Sequence, residues 1–150
     1  MSLHAWRNNG WLTPHAPGPQ EIANLLAVSK RDLHDSRTEG LSPDWRLNIA
    51  YNAALQAATA ALAACGYRAE RTAHHYRVIQ SLVYTIGVTT DVVVKFDYFR
   101  KKRNISGYGQ AGAVSRQEAD EMVELAQQVC ECTRKWLNDN HPELMGKAGV

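Results

Sequence analysis

No apolar run in this chain approaches the roughly 20 residues needed to cross a bilayer. The first residues, Met-Ser-Leu-His-Ala-Trp-Arg-Asn-Asn, contain no apolar segment of signal-peptide length. Cysteine is also sparse: Cys65, Cys130 and Cys132 cannot all pair within one chain. Cys130 and Cys132 lie two apart in a helical pattern and so point to different sides. Metal-ligand spacings are missing too, with no His-Glu-x-x-His, no Cys-x-x-Cys and no Glu-x-x-His pairs of the di-iron bundle type. The glycines Gly107, Gly109 and Gly112 follow a helical pattern rather than a strand, which makes them a connector and not a phosphate loop. Nothing repeats and nothing is low in complexity. These absences exclude a membrane span, a disulfide scaffold and the common metal sites. The expectation is a soluble, cytoplasmic protein with no metal and no cofactor.

At 150 residues the chain is long enough to bury a core without staples, and one domain is expected. The net charge of +2 is too small to imply nucleic-acid binding by itself. Its distribution is uneven, however: residues 68–103 carry eight basic and three acidic side chains, whereas residues 104–150 carry four and seven. A cationic middle third attracts phosphates within a Debye length of about 8 Å at physiological salt. It equally fits a solvated face that balances an acidic last helix.

Residues 1–18, with Trp6, Trp11, Pro14, Pro17 and Gly18, read as an extended arm whose indoles seek cover on the body or a partner. The bundle proper is expected over 19–141, followed by a tail over 142–150. From Pro19, Ile22, Leu25, Leu26, Ser29 and Leu33 recur at helical spacing, predicting a helix to about Arg37. Ser42-Pro43-Asp44 is a helix start, and the alanine-rich seam from Leu47 runs to Cys65, with Gly66 as the stop. A third helix is expected from Thr72 or Ala73 through Ile86, and a fourth from Thr89-Thr90-Asp91. Val92-Val93-Val94 could read as a strand, but without a partner strand the context favours helix. Ser115-Arg116-Gln117-Glu118 fits a capping box opening a long last helix that His141-Pro142 closes. The sum is an all-α antiparallel bundle of about five helices.

The fourth helix ends in Arg100-Lys101-Lys102-Arg103 followed by Asn104. Val92, Phe96, Phe99 and Arg103 share one face, so Arg103 prolongs an apolar seam while Arg100, Lys101 and Lys102 point elsewhere. A guanidinium there either snorkels to water, pairs with a carboxylate, or meets a phosphate. Asn48, Asn52 and Gln56 form a polar line at spacing four on the second helix. That line is either a structural network or solvent side, or it faces the Arg103 end and lines one pocket with it, which Asp44 and Arg46 could join. His74 and His75 are adjacent, so their side chains diverge by about 100° and suit no chelate.

The ordered set Ser42-Pro-Asp-Trp-Arg-Leu-Asn-Ile-Ala-Tyr-Asn-Ala-Ala-Leu, Cys65-Gly66-Tyr67, His74-His75, Arg100-Lys-Lys-Arg103-Asn104 with Tyr108, and Val114-Ser115 with Glu118-Ala119 resembles the HEPN superfamily of small helical proteins. The resemblance spans roughly Gln20 to Leu137. It implies a homodimer in which the Arg-Asn ends meet near the two-fold axis. In active relatives the motif is Arg, a polar residue and, after an interval, His, and they cut RNA without metal. Carried over, Arg103 would stabilise charge, Asn104 would position, and Tyr108 stands where those relatives have His; Gln110 follows where some toxin members have Tyr. A phenol with a pKa near 10 is a poor general base at neutral pH. The resemblance together with the polar line on the second helix gives the expectation of an RNA or nucleotide phosphate bound by Arg100, Arg103, Asn104, Asn48, Asn52 and His75, in a toxin–antitoxin or defence setting. A nucleotidyltransferase antitoxin acting on Tyr108 is a further implied partner. The alternatives are a metal-independent RNA endonuclease toxin, with Tyr108 or His75 in place of the motif His, and a non-catalytic protein-interaction bundle.

Overall fold

The computed structural model describes residues 2–107 and 112–146, and for residues 105–107 the backbone alone. The helices are α1 (Leu3–Asn8), α2 (Pro19–Asp35), α3 (Pro43–Ala64), α4 (His74–Ser81), α5 (Thr90–Gly107) and α6 (Arg116–Asn140). Two three-residue strands, β1 (Leu12–Pro14) and β2 (Tyr67–Ala69), pair antiparallel in the register Leu12 with Ala69 and Pro14 with Tyr67. A short 3-10 turn, Pro142–Met145, follows α6.

Alanine decides the centre. α3 buries Ala50, Ala53, Ala54, Ala57, Ala58, Ala60, Ala61 and Ala63. Methyl-sized side chains on several faces let both α2 and α6 pack along it. Its start is fixed as the sequence predicts: Pro43 occupies the first turn and the Ser42 hydroxyl accepts the Trp45 N–H. The Ser115–Glu118 capping box is also formed, both bonds present at 3.0 Å. The main core joins α3, α4, α5 and α6 through Leu47, Tyr51, Ile79, Phe96, Phe99 and Met122, and a smaller cluster under α2 holds Ile22, Leu26 and Leu137.

Val92–Val94 is helical, and the predicted α5 seam is present: Phe96 and Phe99 are buried and Arg103 half-buried at its end. Two expectations need correction. The stretch 1–18 is not extended throughout, since it holds α1 and β1. Trp6 packs edge-on against Trp11 and Tyr84, and the Arg77 guanidinium lies 3.7 Å from the Trp11 ring centroid, so the arm is latched onto α4 by aromatic and cation–π contacts. Sequence reasoning passed over β1 because three residues are too few to show alternation. The third helix stops at Ser81 rather than at Ile86, because Ser81 Oγ bonds back to the Val78 carbonyl and the chain goes on in turns to Gly87. Within the expected tail, residues 142–145 form the 3-10 turn, and Leu144 and Met145 pack on the α2 cluster.

Candidate functional site: a cationic cleft between the start of α4 and the end of α5

Four helical segments converge at one end of the bundle. On α3, Asp44 sits in the first turn and its carboxylate accepts two backbone N–H groups, from Gly112 at 2.7 Å and Val114 at 3.1 Å. This clamp ties the approach to α6 onto the start of α3. One turn on, Asn48 Nδ2 donates to the Asp44 carbonyl at 3.1 Å, which turns Oδ1 the other way. That oxygen accepts from Arg103 Nε at 3.1 Å. The Arg103 guanidinium carbon stands 5.1 Å from the Tyr51 ring centroid, a cation–π contact. Tyr51 is fully buried, edge-on to Phe96, and its hydroxyl shares a 3.2 Å hydrogen bond with His75 Nδ1. A chain of contacts thus runs from Asp44 through Asn48, Arg103 and Tyr51 to His75.

Electrostatics follow from that packing. Burial pushes the Tyr51 phenol far above its usual range, and Arg103 and Arg100 pull it back only in part, so it stays protonated. Burial, with Arg103, His74 and Arg100 nearby, holds His75 below the ordinary histidine value. A neutral imidazole therefore sits beside two guanidinium groups. The neighbouring cations are paired: Arg100 donates to Asp97 at 2.7 Å, Lys101 reaches the same carboxylate at 3.6 Å, and Lys102 meets Glu118 at 3.5 Å. Arg103 is different. Its described partners are an amide oxygen and an aromatic face, both neutral, and the undescribed positions contain no Asp or Glu.

At the His75 end of this chain lies a cleft of about 490 Å³ lined by Arg71, Ala73, His74, His75, Tyr76, Arg100 and Asn104. Among the described residues no carboxylate lines it. Ala73 enters α4 at φ 55°, in the left-handed region, a strained turn for a residue with a Cβ. His74 Nδ1 is anchored to the Ala69 carbonyl at 3.1 Å, so β2 and α4 hold this wall together. Among the described residues no group of three or more His, Cys, Asp or Glu side chains is placed to hold a metal ion.

The sequence-predicted residues are therefore divided. His75, Arg100 and Asn104 line the cleft, and Asn48 and Arg103 are joined to each other outside its lining. Asn52 lies elsewhere: its Nδ2 donates to the buried Asp32 carboxylate at 2.6 Å and its Oδ1 accepts from Gln56, a network tying α2 to α3. The polar line thus splits after Asn48. Arg46 does not join the pocket, as it pairs with Asp120 on α6 at 2.9 Å. Tyr108 and Gln110 lie outside the described residues. Tyr51, Arg71 and Tyr76 were missed. For Tyr51 the signal was a polar-tipped ring inside an alanine seam, which demands a hydrogen-bond partner when buried.

An all-α bundle with a carboxylate-free cationic cleft at one end is a fold and site suited to phosphate-bearing ligands. The HEPN domain model matches residues 24–136, well over half of the chain, and the protein belongs to that family. No curated protein matches the chain. Family membership supports a nucleotide- or RNA-related function in general terms. No helix among the described residues is long and apolar enough to cross a membrane.

Proposed function

We propose that the protein binds an RNA or nucleotide phosphate at the Arg103–Asn104 end of α5, with Arg100 and His75 lining the adjoining cleft, and that it does so as a homodimer. The observation that carries this reading is Arg103, a half-buried guanidinium oriented by Asn48 and Tyr51 with no carboxylate to offset it. Holding a cation in place without a counter-ion costs free energy that a bound anion recovers. In a dimer that apposes two such ends, the repulsion between copies of Arg103 would add to the demand for an anion. Binding of a short single-stranded oligoribonucleotide to the parent, reduced at least tenfold in Arg103→Ala, is the expected result. Equal binding by both proteins would refute it.

A second reading, metal-independent RNA cleavage, is favoured by His75, a neutral imidazole in the cleft beside Arg100 and Asn104. The ribose 2′-oxygen would attack the adjacent phosphorus as its proton passes to His75. The 5′-oxygen would leave with a proton from solvent, and a 2′,3′-cyclic phosphate would remain. Arg103 would meet the charge of the transition state. Cleavage of total RNA in the presence of chelator, lost in both Arg103→Ala and His75→Ala, would establish this activity. In a toxin–antitoxin or defence setting, induced expression would arrest growth and Arg103→Ala would relieve the arrest.

A further inference from the structure

The Trp45 side chain belongs neither to the core clusters nor to the lining of the cleft. It is the tryptophan most open to solvent, 57 % exposed, whereas Trp6 is buried and Trp11 and Trp136 are half-buried. Its position is fixed on three sides. Its N–H is bonded to the Ser42 hydroxyl, the preceding Asp44 holds the Gly112 and Val114 amides, and the following Arg46 is paired with Asp120. A rigid backbone therefore presents an open indole to water, which is the expensive way to place the largest apolar side chain. Three residues on, one helical turn away, stands Asn48, the residue that orients Arg103.

We infer that Trp45 is a stacking platform for a nucleobase whose phosphate is held by Arg103, so that the ligand is a single-stranded RNA or nucleotide rather than an inorganic phosphate or a duplex. This rests on the phosphate-binding reading above and deepens it. Trp45 and Asn48 are about one helical turn apart, roughly 5.4 Å along the axis, and the Arg103 guanidinium is bonded to Asn48, so the indole and the guanidinium flank one short stretch of α3, a span of the same order as that from a base to its own phosphate. Bases in a duplex are already stacked and offer no free face, whereas a single-stranded base has one. Asp44, the carboxylate next to Trp45 and one turn before Asn48, has both oxygens engaged by backbone donors, which blunts its repulsion of a phosphate.

The test compares two probes of the same length, an oligoribonucleotide of about six nucleotides and its abasic ribose-phosphate counterpart, on the parent, Trp45→Ala, Trp45→Phe and Arg103→Ala. Trp45→Ala is expected to weaken the oligoribonucleotide about tenfold and to leave the abasic probe unchanged, with Trp45→Phe recovering most of the loss. Quenching of the parent's tryptophan fluorescence by the base-containing probe, absent in Trp45→Phe, is the accompanying signature. If Trp45→Ala binds both probes as the parent does, or loses both equally, the platform is refuted while phosphate binding stands. If Trp45→Ala instead changes the sedimentation of the free protein, a second copy covers the indole and the inference falls. If the parent binds neither probe, or Arg103→Ala binds as well as the parent, the phosphate-binding reading fails first.

Discussion

Replacing Asp44 by Ala removes the acceptor for two backbone N–H groups and leaves the chain before α6 without its tie to α3. Val114 is buried, so its N–H loses a charged partner in a place that water reaches poorly; Gly112 is exposed and its N–H finds water instead. A hydrogen bond to a charged group is worth about 1.5–3 kcal/mol when buried, and much less when exposed. Asp44 also complements the positive end of α3, worth about 0.3–1 kcal/mol. Together the expected loss is about 2–4 kcal/mol, which for a chain of this size lowers the melting temperature by about 4–16 °C. Asp44→Asn keeps one acceptor and should lose about half as much. Urea unfolding followed by circular dichroism gives the free energy, and hydrogen exchange at the Val114 amide shows whether the loss is local. A change under about 0.5 kcal/mol for Asp44→Ala, or an unaltered Val114 exchange rate, would refute the clamp.

Phe96→Ala, which empties the space against Tyr51, should cost about 3–5 kcal/mol in the same urea titration; a loss below 2 kcal/mol would show that α5 does not depend on this seam. His75 should titrate below its ordinary 6.5 by proton NMR and move up towards it in Arg103→Ala, and an unchanged midpoint would contradict the coupling. Because its folded value is depressed, the unfolded chain binds the proton more readily. Stability contributed by neutral His75 is therefore present above 6.5 and declines as pH falls through the folded value, a slope that His75→Phe should flatten. Glu118 is held below its usual value first by the Tyr98 hydroxyl and then by Ser115, so its contribution is complete above about 4.5 and is lost as the pH falls further. Ser115→Ala should cost about 1 kcal/mol at neutral pH, and no measurable loss would show the capping box to be inert.

The long helices were legible because their signals are local and redundant. Ser42-Pro43 and Ser115–Glu118 mark starts through caps, and the alanine seam of α3 and the Phe96–Phe99 seam of α5 mark buried faces. What sequence could not supply was contact between distant segments. β1 and β2 are strands only because Leu12 finds Ala69, and α4 stops early because a serine hydroxyl competes with the next turn. The same limit divides the site. Arg103 was identifiable because a cation on an apolar seam violates a local rule. The partition of Asn48 from Asn52 was not, since two asparagines at spacing four look alike until Arg103 approaches one and Asp32 the other.

The alanine-walled α3 also constrains how this protein can vary over generations. Where methyl groups already touch α2 and α6, almost any larger substitution forces helices apart, so those positions are closed to drift. The stripe from Trp45 to Asn48 is partly open, and on the phosphate-binding reading proposed above it is the part of the helix where a substitution alters the ligand rather than the packing. On that reading, inheritance of the scaffold and variation of the ligand would be assigned to different sides of one helix, and new specificities would arise without the fold being put at risk.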